Sequence, residues 1–271
     1  MQSETPADVW ALHLLNPDRW EKPETDALRL GRAMAAFVEG GIEQVLAEYI
    51  LLPEDTPRRP TEAQRAKYEA GQGTPAGTLS CEFWDKIDSS AKSILKPDDL
   101  EMITNMGTAL VQDEAAVAVM GGIPEVTMAW RDEETGLWLL ARPDTIAFDG
   151  TVTDYKKISS KGCPFNRRLV DRRIDDHRYD MQLAFAAEVY ERLTGDWPEM
   201  AAIIAQHDKP PFSVILREIE QEDLRIGQFH NRQSIRRFAE CLASGHWLRP
   251  SEPTLPLTSV RSGCVSNSLK K

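Results

Sequence analysis

The feature that most constrains this chain is a change of hydrophobic period just past residue 120. Over 25–50, TDALRLGRAMAAFVEGGIEQVLAEYI, apolar residues recur at helical spacing behind a Thr25 or Asp26 cap. Residues 82–119 do the same in two pieces that part at Lys96-Pro97-Asp98-Asp99. Then the period falls to two. EVTMAW (125–130), LWLLARPDTIA (137–147) and TVTDYKKI (151–158) read as strands, with turn chemistry at Asp132–Gly136 and Asp149-Gly150. A long helix is expected over 175–194, a strand over 212–219 and an amphipathic helix over 228–244. The stretch 53–80, rich in Pro, Arg, Gln and Gly, reads as a polar loop with at most a short helix. This order predicts an α/β chain with a mixed sheet flanked by helices, one domain over 1–250 and an extended tail over 251–271.

The strands carry charges that packing does not ask for. Side chains alternate across a strand, so Asp154 and Lys156 share a face with Val152 and Ile158. Whether Asp144 joins them depends on the turn. A two-residue Asp149-Gly150 loop sets Asp144 opposite Tyr155, on the wrong face. A three-residue loop, Phe148-Asp149-Gly150, with Gly150 left-handed, sets it opposite Asp154, and this register is the expected one. If Trp130 pairs with Leu137 upstream, Glu125 falls opposite Arg142 on that same face. Glu125, Asp144 and Asp154 then converge beside one lysine. Close carboxylates repel unless a proton or cation separates them, and an oxygen-rich set suits a hard divalent ion that retains waters. An isolated Asp-x-Lys is commonly a surface ion pair; the spaced set is far more specific.

The remaining totals narrow the field. With 271 residues, 41% apolar and 28% charged, the chain has the composition of a globular protein, and its apolar runs are too short for a membrane span. MQSETPADVW lacks the pattern of an export signal, so the cytoplasm is the expected compartment. Cys81, Cys163, Cys241 and Cys264 lie too far apart for a zinc or iron–sulfur site and read as free thiols. No phosphate-binding Gly-rich loop, G-x-S-x-G or H-E-x-x-H motif is present. The five histidines are scattered, and the seven tryptophans read as core or rim residues rather than a base-stacking ladder. Net charge is −11, which by itself argues against a nucleic-acid partner. Its distribution argues otherwise, since 156–178 holds eight basic residues against three acidic ones directly after the charged hairpin.

Arg142-Pro143-Asp144 followed by Asp154-Tyr155-Lys156 resembles the PD-(D/E)XK nuclease motif, and more narrowly its RecB-like and RecE-like exonuclease VIII branch. GIPEVTMAW (122–130), the D-x-x-T-G turn, Tyr179-Asp180-Met181-Gln182 and ALRLGRAMAAFVEG (27–40) are similar as well, so the resemblance covers about residues 8–249. It implies a restriction-endonuclease-like core with a mixed central sheet. It implies Asp144 and Asp154 as metal ligands, Glu125 as a further acid at the metal and Lys156 as the group that orients water and steadies the transition state. Gln182 and Tyr179 are implied to contact DNA or the active-site strands. Arg142, Lys157, Lys161, Arg167 and Arg168 are the expected phosphate contacts. The implied cofactor is Mg²⁺, with Mn²⁺ as a substitute. The implied activity is 5′-to-3′ digestion of linear duplex DNA, leaving 3′ single strands for a RecT-like annealing protein, by a ring-shaped homo-oligomer. Two alternatives stand beside it: the same chemistry on single-stranded or branched DNA, and a weakened module that grips DNA without cutting. The second draws on one departure: Ala35 stands where relatives carry a histidine ligand, and Glu39 is the nearest acidic substitute one turn on.

Overall fold

The computed structural model describes residues 5–21 and 23–248, so the expected tail 251–271 and Cys264 lie outside the described residues. The described residues group into two compact units, 5–21 with 233–248 and 23–232.

The larger unit opens with the second helix of the chain, α2 (Asp26–Glu48), capped by the Thr25 hydroxyl, which accepts the Leu28 N–H. It bends at Gly40 and Gly41, where Gly41 has φ +65°, a conformation that favours glycine. A short strand, β1 (Tyr49–Leu51), follows and pairs in parallel with β2 (Ser93–Leu95). Residues 53–80 hold more helix than their composition suggested. They contain α3 (Glu62–Glu69) and the first turns of α4 (Pro75–Asp88). Local caps outweigh composition there: Thr61 and Gln64 form a capping box, and Thr74 accepts the Gly77 N–H ahead of Pro75. Helix α5 (Pro97–Val111) begins where Lys96-Pro97 marks a start, and α6 (Glu114–Met120) follows. Ala33, Met34 and Ala36 of α2 and Ile103, Met106 and Leu110 of α5 form one buried cluster. At Gly107 that contact is so close that a Cβ would lie 2.0 Å from Phe37 Cε1.

The main sheet has the order β3-β6-β7-β8-β9: β3 (Gly122–Pro124), β6 (Thr145–Ala147), β7 (Val152–Ile158), β8 (Ala201–His207) and β9 (Val214–Glu218). It is mixed, with β7 and β8 parallel and the other pairs antiparallel. Strands β4 (Met128–Arg131) and β5 (Trp138–Ala141) form a separate hairpin. The strand expected over 137–147 is thus split at Arg142-Pro143-Asp144, where proline offers no N–H to a ladder. The expected helix 175–194 is two helices, α7 (Arg167–His177) and α8 (Tyr179–Thr194). They meet at Arg178, which is left-handed at φ +53° and breaks the helical hydrogen bonding. Strand β8 escaped the sequence reading. Its run AAIIAQH is buried on both faces, so it shows no alternation. The last helix is α9 (Gln221–Ser244), about two turns longer at its start than the sequence predicts.

The smaller unit contains α1 (Pro6–Leu12), with a Thr5–Asp8 capping box, and the residues from Gln233 on. Trp10 stacks on Trp247 with centroids 4.1 Å apart, and Phe238 meets His13 at 4.7 Å.

Candidate active site

The turn between β6 and β7 decides the site. Ala147 donates to Thr151 O at 2.9 Å and Gly150 to Ala147 O at 2.9 Å, closing a three-residue Phe148-Asp149-Gly150 loop. Gly150 has φ +84°. The ladder then pairs Thr145 with Thr153 and Ile146 with Val152, which sets Asp144 opposite Asp154. This is the register expected of a three-residue loop.

Upstream the expected pairing is corrected. Trp130 pairs with Leu139, not Leu137, so Glu125 stands opposite Asp144 rather than Arg142; its N–H donates to Asp144 O at 3.0 Å. The Asp132–Gly136 turn is tighter than supposed: the buried Asp132 side chain accepts the Thr135 N–H and hydroxyl and leaves Leu137 inside the turn, bonded to Asp132 N. A shift of two keeps Glu125 on the same face. Its carboxylate, however, pairs with Arg142 Nε at 3.0 Å. Among the described residues, no three acids, thiols or imidazoles are gathered tightly enough to hold a metal by themselves. The expected convergence of three carboxylates is therefore a pair, with Glu125 at its rim.

That pair is tightly organised. Asp154 is only 2% exposed. Its Oδ1 accepts the Gln182 amide at 2.8 Å, and its Oδ2 forms an ion pair with Lys156 Nζ without a directional hydrogen bond. Asp144 Oδ2 accepts the Tyr155 N–H at 2.5 Å. The Tyr179 ring lies 5.1 Å from Lys156 Nζ, a cation–π contact, and His177 stacks on Tyr179. Burial pushes Asp154 up to about 6, and the Asp144 charge adds to this against the pull of Lys156 and Gln182. Burial also raises Asp144, against the Tyr155 N–H and Lys156. Glu125 is raised by burial, then by Asp144, with Glu39 adding a smaller push. A metal-free pair of this kind strains against its own charge.

The donor set fits one hard divalent cation. Hydrogen bonds commit one oxygen of each aspartate; the second oxygen of Asp154 is buried against the Lys156 ammonium, so a positive charge already stands where a cation would be shared. Magnesium is held by one or two carboxylates with waters filling the other positions. Asp144 and Asp154 would hold it.

Gln182 is turned onto Asp154 of the active-site strands, and Tyr179 onto Lys156. Both lie at the start of α8, on one helix face beside β7. Lys157 shares the Tyr155 face of β7, opposite Asp154 and Lys156, and stands apart from the pair. Arg142 is exposed but engaged with Glu125. Lys161, Arg167 and Arg168 are exposed at and before the start of α7. Sequence reasoning missed Gln206, a fully buried side chain of β8. It accepts the Tyr155 hydroxyl at 2.6 Å and donates to Met106 O and Phe212 O, so Tyr155 is anchored behind the strand that carries Asp154 and Lys156. A glutamine inside an apolar strand is the signal that points to such a network.

Residues 6–253 match the model of the family described as "PDDEXK-like domain of unknown function (DUF3799)". The chain belongs to that PDDEXK-like family. The family supports a nuclease, and PDDEXK nucleases generally use divalent metal ions. In fold the chain is similar to a crystal structure from Eubacterium rectale described as a "Putative exonuclease", with a TM-score of 0.51 and 15% identity over 91% of this chain and 83% of that one. This likeness shows a restriction-endonuclease-like fold. A search of curated proteins finds no match. Among the described residues, no helix of this PDDEXK-like chain is long and apolar enough to cross a membrane.

Proposed function

We propose that this PDDEXK-like chain is a metal-dependent exodeoxyribonuclease that digests linear duplex DNA from the 5′ end and leaves 3′ single strands for an annealing partner. The observation that carries the proposal is the buried Asp154, locked between Gln182 and Lys156 and opposed across the ladder by Asp144. Asp144 and Asp154 would hold a Mg²⁺ ion, which when bound would supply charge neutralisation at the phosphoryl group and a water of lowered pKa. The chain's own residues do the rest. Tyr155 N–H and the Gln182 amide fix the two carboxylates in orientation. Lys156, held between Asp154 and the Tyr179 ring, places a positive charge where negative charge develops on the phosphoryl oxygens. The exposed Lys161, Arg167 and Arg168 offer phosphate contacts beyond the site.

The test is digestion of 5′- and 3′-labelled linear duplex beside closed circular DNA, with Mg²⁺ and with Mn²⁺. Early release of the 5′ label from linear DNA alone is the expected result. Cutting of circles, or early release of the 3′ label, would refute the polarity and the end requirement.

A further inference from the structure

The outward face of the β4–β5 hairpin has no structural use that accounts for its residues. Ladder pairs set Arg131 opposite Trp138 and Ala129 opposite Leu140. Trp138 is 64% exposed and Leu140 61%, whereas Leu139 and Ala141 between them are buried on the face that packs against α8. The hairpin is firmly seated by that other face. Its turn is pinned where Arg232 of α9 pairs with Asp132 at 3.0 Å and Glu134 at 2.7 Å, and Arg192 of α8 lies over Trp130. A large aromatic turned to water on a rigid, already stabilised hairpin contributes little to folding, and it departs from the expectation that the tryptophans fill core or rim.

The same segment leads to the active site, where Arg142, two residues past Leu140, pairs with Glu125 at the rim. Buried and more exposed residues alternate without a break from Trp138 to Ala147, through the gap at Pro143. The pairs Met128–Ala141 and Gly122–Ala147 keep one register on both sides of that gap, so no residue is inserted in either strand. Trp138, Leu140 and Arg142 therefore share the outward face, and Asp144 follows at the site itself, opposite Asp154. At a strand rise of about 3.3 Å per residue the segment from Trp138 to Asp144 is roughly 20 Å long. Two arginines, Arg131 and Arg142, flank its apolar centre in a protein of net charge −11.

We infer that this outward face is a binding platform for unpaired DNA next to the scissile phosphate: Trp138 stacks on an exposed base, Leu140 packs beneath the next, and Arg131 and Arg142 meet the flanking phosphates. An unpaired base has a free π-face, which a base inside a duplex lacks, and stacking on an aromatic ring tolerates any sequence. The occupant is therefore a single-stranded stretch, about six nucleotides at the 3.4 Å rise of a stacked strand. The inference rests on the nuclease reading and adds that the substrate enters with its strands parted.

The test uses the full chain in EDTA, so that nothing is cut, and fluorescence anisotropy with three labelled probes: a single strand, a blunt duplex, and a duplex frayed at one end. Trp138→Ala should weaken binding to the single strand and the frayed end by about 5- to 100-fold. Trp138→Phe should keep most of the affinity. Blunt-duplex binding should change less than twofold, as should all binding by Trp20→Ala, a control that removes another exposed tryptophan. Melting of Trp138→Ala at the wild-type temperature shows that the fold is intact. Single-strand affinity within twofold of wild type overturns the inference, and if light scattering then shows Trp138→Ala losing an oligomer, the face joins protein copies instead. Digestion in Mg²⁺, run in parallel, separates the two readings. If Asp154→Ala cuts as wild type does, the nuclease site is misassigned; if it is inert while Trp138→Ala binds normally, only the platform falls.

Discussion

Burying Asp154 beside Asp144 makes the metal-free protein sensitive to pH in a direction opposite to that of most salt-bridged acids. The carboxyl moves from its ordinary value of 3.8 up to about 6, a displacement worth ~3 kcal/mol. A group that titrates higher in the folded than in the unfolded chain holds its proton more tightly when folded. Its stabilising contribution is complete below the unfolded pKa and lost as pH rises through the folded one. Between pH 4.5 and 7.5 the loss from Asp154 comes to about 2 kcal/mol. Asp154→Asn cannot ionise, yet it can still accept the Gln182 amide, so it should not show that loss. Urea unfolding of both proteins in EDTA at the two pH values measures it. The wild type should fall by about 2 kcal/mol more than the variant. Mg²⁺ at ten times its dissociation constant should then raise the wild type at pH 7.5 by ~1.4 kcal/mol and the variant much less. Equal pH slopes in the two proteins would refute the assignment of a strained, buried carboxylate.

Three further outcomes are expected. Gln182→Ala removes a hydrogen bond that lowers the Asp154 pKa, so the acidic limb of the pH–rate profile should move upward and kcat fall; an unmoved limb would mean that Gln182 does not orient this acid. Gly107→Ala forces a methyl against the Phe37 ring at 2.0 Å and should cost about 1–3 kcal/mol in a denaturant titration, whereas an unchanged midpoint would contradict the close approach of α2 and α5. Replacing Arg167 and Arg168 together by alanine should lower the slope of log binding constant against log salt by about 2 on duplex DNA, and an unchanged slope would remove them from the phosphate path.

The site was legible in the sequence to the extent that it depends on local chemistry. Gly150 after Phe148-Asp149 implied a loop of defined length, and loop length alone sets Asp144 against Asp154. Glu125 was placed on the correct face but two residues out of register, because Asp132 folds back on Thr135 by side-chain hydrogen bonds that no hydrophobic period records. Strand β8 and Gln206 were hidden for a related reason. A strand buried on both faces has no alternation, and the polar group within it is explained only by partners at Tyr155, Met106 and Phe212, distant in sequence. Arg178 was invisible because nothing in an arginine announces a left-handed backbone.

The most direct measurement is nucleotide release from linear duplex DNA in Mg²⁺ by wild type, Asp154→Asn and Lys156→Ala, each shown by melting to be folded. Steady release by the wild type and a loss of at least a hundredfold in both variants is the predicted result. Comparable release by either variant would contradict a hydrolytic centre built on Asp144, Asp154 and Lys156.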